Sequence, residues 1–577
     1  MAQLDFAVMA VFALLIFAIG LAFTKMGSKS GQAFFEAGGE TPWWINGLSL
    51  FISYFSAGTF VVWGSIAYKH GFVANIIQLT MAASGLIVAL FIAAKWKRTR
   101  TKTAAEYIGM RFGIPAKHFY TGLILLLSLV NTSAVLYPVG KMVYVATPFT
   151  LNQCIIGIGI IIVLYTAAGG LWAVLVTDVV QFVILMAAVI IVIPAAFAEV
   201  GGTDQFFEKA PADFFEPFTS DYTAGFMLAF VAYQTVYIGG NWSYVQRYTS
   251  VSSERNARKV AYLFCFLYLL SPFIWMLPPM IYRVINPDLQ GLEPEGAYMM
   301  LCQKVLPAGL IGLVLSGMIS ATSSKANTTI NLAATVFAQD IYRTVFRPSA
   351  SEKEQIYIAR IFTLVFGVGT IALAMLVPYA GGIVEVVLSV AAIAGGALFA
   401  PIIWSLFSSR QTATSVITAT IFSLGVNLFF KVIAPSLIGL KFSRTTETLL
   451  GVGLPLVILG VFELYYWIKK RTASGHGDLL RHISLQQELA ASAQAVHADA
   501  VNQNAFGIQV ISMASALVGC GIVSLGFASG VNTTVIMIGS VIAVPGIIFT
   551  YRALRSNHLV RAKQKISPAD ETIAETF

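Results

Sequence analysis

Runs of about twenty apolar residues recur along the whole chain, and no other feature constrains it as strongly. An α-helix of roughly 20 residues, rising 1.5 Å per residue, crosses the roughly 30 Å of hydrocarbon in a bilayer. Fifteen such runs are read, over residues 4–24, 42–69, 72–95, 117–146, 151–169, 172–198, 223–243, 258–282, 305–336, 356–376, 382–407, 413–432, 447–468, 507–528 and 532–553. Spread over nearly all 577 residues, they leave no space for a soluble domain of about 100 residues or more. Only 11% of the residues are charged, against roughly 25% in soluble domains. The predicted fold class is therefore an all-α membrane protein of about fifteen transmembrane helices, and the pattern argues against nucleic-acid-binding and catalytic modules.

The formal charge of +9 lies mostly in short loops between apolar runs, where the positive-inside rule accounts for it without a nucleic-acid partner. The segment 95–117 carries Lys95, Lys97, Arg98, Arg100, Lys102, Arg111 and Lys117, and the stretches from Arg247 to Lys259, Lys469 to Arg471 and Arg552 to Arg555 are also basic. The segment 199–222 holds six acidic residues against Lys209 alone, and 284–298 holds Asp288, Glu293 and Glu295. These loops alternate with the crossings if the N-terminus is outside and the C-terminus cytoplasmic in an inner-membrane, multi-pass protein. Cys154, Cys265, Cys302 and Cys520 have no CxxC spacing, so neither a disulfide framework nor a zinc site is implied. The first run lacks the basic flank and small-residue cleavage site of a signal peptide and reads as a retained helix. The connection 469–506 reads as a surface helix, and the tail after Arg555 as a frayed end.

Two of the apolar runs carry clusters that interrupt a helix. The second reads Ser53, Tyr54, Phe55, Ser56, Ala57, Gly58, Thr59, and the seventh Tyr237, Ile238, Gly239, Gly240, Asn241, Trp242. Five spans apart, they point to discontinuous helices at the midplane of a five-plus-five inverted repeat, where freed backbone groups can bind a cation or polar solute. Ionisable residues within the membrane are costly unless paired or solvated. Asp178 enters the sixth run and Lys325 leaves the ninth, both near the cytoplasmic ends of their spans, so an ion pair between them is geometrically possible. The bland alternative has Lys325 snorkelling to the interface and Asp178 capping a backbone amide.

Three motifs in order resemble the sodium/solute symporters, relatives of the sodium–glucose and sodium–proline cotransporters, over about residues 5–470. They are Tyr165 to Val174 (YTAAGGLWAV) running into Thr177, Asp178 and Gln181; Asn241 to Tyr248 (NWSYVQRY); and Ser320 to Asn331 leading to Asp340-Ile341-Tyr342. The resemblance implies the inverted-repeat fold, alternating access, and a solute site beside a sodium site. The sodium ligands it carries over are the backbone at Ile52 and Phe55 and the oxygens at Ala321 and Ser324. The position of the family's second hydroxyl is Lys325, an ammonium with three donors and no lone pair. Shifted by one residue, Ser323 and Ser324 form the hydroxyl pair instead. Solute contacts implied by the resemblance are Thr59, Gln78, Asn241 and Tyr244; Thr59 departs from the glutamine of sugar carriers.

The expectation is a secondary transporter of a small polar organic solute in which Lys325, with Asp178 and Ser324 around it, occupies the place of sodium, so that coupling is to protons or absent. The pKa of a buried lysine is readily displaced, which suits a protonation cycle. The alternatives are a conventional sodium symporter, with sodium as the one ion bound and Lys325 pointing away, and a solute sensor on the same fold. No other cofactor is implied, and no oligomeric state. The expected organisation is an N-terminal helix and loop over 1–41, repeats over 42–198 and 199–407, peripheral helices over 408–468, the cytoplasmic connection 469–506 and two last helices with a tail over 507–577.

Overall fold

With no water in hydrocarbon to satisfy backbone N–H and C=O groups, apolar runs of this length must pair those groups internally, and helices do so. The computed structural model describes residues 1–27, 41–101, 103–165, 171–492, 495–528, 530 and 532–570, and among them there is no β-strand. The helices that carry the argument are α1 (Gln3–Gly27), α2 (Trp43–Ile52), α3 (Gly64–His70), α4 (Ile114–Ala146), α5 (Leu171–Val200), α6 (Ala224–Gly240), α7 (Trp242–Thr249), α8 (Glu254–Leu270), α9 (Leu310–Val336), α10 (Ile383–Ser405), α11 (Ala495–Ala528) and α12 (Thr533–Asp570). Ten helices among the described residues are long and apolar enough to cross a bilayer, Ile114–Ala146 and Arg444–Ile468 among them. The predicted loop at 28–40 and the motif residues Thr166 to Gly170 lie outside the described residues.

α2 packs on α5 and α8, α5 on α9, and α9 on α4, so the centre of the bundle is built from helices distant in sequence. Apolar side chains such as Phe51, Ile184, Leu185 and Leu315 fill it, each at most 1% exposed. Large apolar side chains including Leu228, Val365 and Val461 point outward, as on a lipid-facing surface. The surface helix expected within 469–506 is present as Ser474–Ser492, whereas the segment after Arg555 continues α12 to Asp570.

Both predicted interruptions are present. α2 stops at Ile52, and the chain resumes as a π turn, Thr59–Trp63, that leads into α3. The Thr59 hydroxyl accepts the Ser56 N–H at 3.2 Å and donates to the Tyr54 carbonyl at 3.0 Å, so backbone groups freed by the break are paired by a side chain. The second break is a single extended residue, Asn241 (φ −62°, ψ 127°), whose side-chain oxygen accepts the Ser243 N–H at 3.0 Å and caps α7. A short polar side chain is favoured at such a cap because helix starts leave N–H groups unsatisfied.

α1 is tied to the core by a charge. Asp5 is fully buried, and one carboxylate oxygen accepts N–H groups of Gly309 (2.7 Å) and Gly312 (3.0 Å) at the start of α9. A carboxylate at a helix N-terminus satisfies orphan donors and opposes the positive end of the helix dipole. Gly312 is required there, because a Cβ would run into the Asp5 backbone. Asp5→Ala should therefore destabilise the protein by about 1–3 kcal/mol. Thermal unfolding in detergent measures this, and an unchanged midpoint would show that the contact contributes nothing.

Candidate functional site

The two breaks face each other beside α4, α5 and α9, and two cavities open between them. The first, of about 60 Å³, is bordered by Ile52, Asp178, Arg247, Ala321, Ser324 and Lys325. Five of the six residues expected at the ion site are thus brought together. Phe55 is the exception: it is fully buried at the break, its ring stacked on Trp275 with centroids 4.1 Å apart, and it does not border this cavity. The second cavity, of about 130 Å³, is bordered by Tyr54, Thr59, Asn131, Tyr237, Tyr244 and Lys325 among others. Lys325, Asn131, Tyr237 and Tyr244 border both.

The ion pair that the sequence allows between Lys325 and Asp178 is not formed. Asp178 is 3% exposed and accepts two hydroxyls, Ser49 at 2.6 Å and Ser324 at 2.8 Å, one on each oxygen. The opposite charge facing it is Arg247, whose guanidinium donates to the Ser49 hydroxyl from Nε (3.4 Å) and Nη2 (3.3 Å) and to the Ser243 carbonyl from Nη1 (2.7 Å). Ser49 therefore relays between anion and cation, and the cluster joins α2, α5, α7 and α9. Arg247, taken from the sequence as part of a cytoplasmic basic loop, is 2% exposed in the protein interior. The reason is its place on α7, which starts at the second break and carries the guanidinium less than two turns from it. Ser49 was also not singled out.

Lys325 does not reach Asp178 because it lies one residue beyond Ser324 on α9, and successive helical residues are turned about 100° apart. Among the described residues no carboxylate lies within ion-pair distance of its ammonium. Its closest charge-related contact is the face of Tyr54, with Nζ 6.0 Å from the ring centroid. The side chain borders both cavities and does not pair with Asp178.

The solute-contact expectations divide. Tyr244 is 4% exposed and tilts over Tyr54 with centroids 5.1 Å apart, forming a wall shared by both cavities. Asn241 borders the first cavity and Thr59 the second, although the Asn241 oxygen and the Thr59 hydroxyl are engaged in the two breaks. Gln78 is fully buried and borders neither, and neither polar atom of its amide has a hydrogen-bond partner among the described residues. Trp242 is 7% exposed and borders the first cavity, which settles it as inward-facing.

Known proteins resemble this chain in sequence and in fold. A sequence profile of the sodium:solute symporter family matches residues 34–422. The sodium/myo-inositol cotransporter 2 of Mus musculus is 28% identical over 398 residues, a match covering 62% of this chain and 59% of that protein. The sodium/glucose cotransporter of Vibrio parahaemolyticus is 26% identical over 469 residues, covering 74% and 85%. The chain thus spans 59% of the length of the mammalian myo-inositol cotransporter. Among solved structures, a substrate-bound, outward-open sodium-coupled sialic acid symporter superposes with a TM-score of 0.69 at 20% identity, covering 80% of this chain and 98% of the other. A transporter of the nucleobase-cation-symport-1 family gives 0.52 at 14%, covering 77% and 97%. At these identities the two structures establish the fold.

The charge cluster makes a specific prediction. Asp178→Asn leaves Arg247 buried without its anion and should cost about 3–5 kcal/mol. Adding Arg247→Gln should recover a large part of that loss, whereas adding Lys325→Ser should not. Thermal unfolding of the single and double variants measures the coupling, and rescue by Lys325→Ser instead of Arg247→Gln would reverse the assignment.

Proposed function

Because the chain belongs to the sodium:solute symporter family, we propose that it is a secondary transporter that moves a small polar organic solute across the cytoplasmic membrane by alternating access. Its core is a five-plus-five inverted repeat, residues 42–198 and 199–407, with α2/α3 and α6/α7 as the discontinuous helices of the two halves. The chain makes fifteen crossings with the N-terminus outside and the C-terminus in the cytoplasm, in keeping with the alternation of basic and acidic loops. Residues 408–468 and 507–577 lie at the periphery. Tyr244, Asn241 and Thr59 face the solute, and Gln78 does not touch it directly.

In this reading the ammonium of Lys325 stands where a relative of this family holds sodium. One observation carries it: Lys325 borders the same cavity as Ile52, Ala321 and Ser324, with no carboxylate within ion-pair distance of its ammonium among the described residues. Sodium, a hard cation, is held by oxygen lone pairs, and an ammonium in that space supplies a charge and three donors instead. The Ser324 hydroxyl also donates to Asp178. Sodium coupling at this position is then lost, and the cycle runs by protonation of the lysine or by uniport. The groups facing Lys325 in such a cycle are Asp178, Arg247 and the tyrosines 54, 233, 237 and 244.

A ligand that binds only the folded protein raises its melting temperature by mass action. Titrating sodium against potassium and choline at constant ionic strength should therefore give identical melting curves for the wild type, and Lys325→Ser should create a sodium-specific shift. A sodium-specific shift in the wild type would instead mean a conventional sodium site.

A further inference from the structure

The two cavities hold an unbalanced charge. Their bordering residues include two cations, Arg247 and Lys325, against one carboxylate, Asp178. Asp178 is engaged by Ser49, Ser324 and, through Ser49, by Arg247. Lys325 is left as the single charged residue of the larger cavity. Its contact with the Tyr54 face, at 6.0 Å, is at the outer limit of a cation–π interaction and offsets only a small part of the cost of a charge in a low-dielectric interior. The relatives that carry myo-inositol or glucose are named for neutral polyols, and a neutral polyol would leave this positive charge uncompensated.

The rest of the larger cavity narrows the class of ligand. Tyr54, Tyr237 and Tyr244 form a continuous aromatic wall, with centroid separations of 5.1, 5.8 and 6.4 Å. Such walls take an apolar body edge-on or face-on and offer little to a small, strongly hydrated inorganic anion. Asn131 borders both cavities, as Lys325 does, and its amide adds donors. An ammonium and an amide bordering one aromatic-walled cavity suit a group with two oxygens and one negative charge.

We propose that the solute is a small organic monocarboxylate, its carboxylate held by Lys325 with Asn131 and its apolar end against the wall of Tyr54, Tyr237 and Tyr244. The proposal rests on the transporter reading above and adds the chemical class. The single surplus charge selects a monoanion, since a second carboxylate would enter the cavity without a cation. Lys325 is thus both the stand-in for the bound ion and the counter-ion of the solute, which links solute binding to the position that governs coupling in the family.

The test uses the purified full chain and matched pairs of ligands: short, branched and aromatic monocarboxylates, each against its isosteric amide (propionate and propionamide, benzoate and benzamide), with chloride, sulfate, glucose and myo-inositol as controls at constant ionic strength. At least one carboxylate should raise the melting temperature by a few degrees while its amide does not, and Lys325→Met should abolish that shift. Equal shifts from acid and amide, a shift only from the neutral polyols, an equal response to chloride or sulfate, or no response to any carboxylate would each overturn the assignment, as would a shift preserved in Lys325→Met. Should that variant fail to fold, the acid–amide comparison in the wild type decides alone. Counterflow in proteoliposomes separates this proposal from the one it rests on. A carboxylate that binds without counterflow keeps the anion site and removes transport, whereas counterflow of a polyol alone keeps transport and removes the anion site.

Discussion

A carboxylate and a guanidinium, held apart by one serine hydroxyl in the interior of a membrane bundle, fix the geometry of everything around them. Asp178 on α5 receives Ser49 from α2 and Ser324 from α9, and Ser49 in turn receives Arg247 from α7. Isolated charges at this depth cost several kcal/mol each, so the cluster persists only while all four helices are in place. It thereby sets the distance between the two discontinuous helices and the position of Ser324. The orientation of the next residue on α9, Lys325, follows from the helical turn. With the anion consumed by this cluster, Lys325 is left facing the cavities without a protein counter-ion among the described residues.

The two helix breaks solve the same physical problem by different means. At the first, the Thr59 hydroxyl both accepts from Ser56 and donates to Tyr54; at the second, the side chain of Asn241 caps α7. Each break thus uses its own polar side chain to quiet the backbone it frees, and each ends beside a tyrosine, Tyr54 and Tyr244, that packs on the other in the cavity wall. Residues that look like solute ligands in the sequence are in part scaffold here, which under the monocarboxylate proposal shifts the burden of recognition to Lys325, Asn131 and the aromatic wall.

The helices and both breaks were legible because each leaves a local mark: an apolar run of membrane length, or small and polar residues within it. Lys325 was legible for the same reason, a charge where the run should be apolar. Its partner was not. Matching Asp178 with Lys325 used depth in the membrane, which fixes one coordinate, while the direction a side chain faces depends on the rotation of its helix. Arg247 was hidden because it follows the break closely and continues into a basic stretch, so that it resembled the start of a cytoplasmic loop. Nothing in the sequence marks Ser49 as its relay, since α2 and α7 meet only in the folded chain. Gln78, a polar residue in a membrane run at a position the resemblance gives as a solute contact, is buried away from both cavities.

The central claim is that a fixed ammonium has replaced a diffusible cation. Equilibrium binding of radiolabelled sodium to the purified protein tests it most directly, because it needs neither the solute nor transport. The account predicts no saturable sodium binding to the wild type and the appearance of a site in Lys325→Ser. Saturable binding of one sodium per wild-type chain, lost in Ser324→Ala, would contradict it.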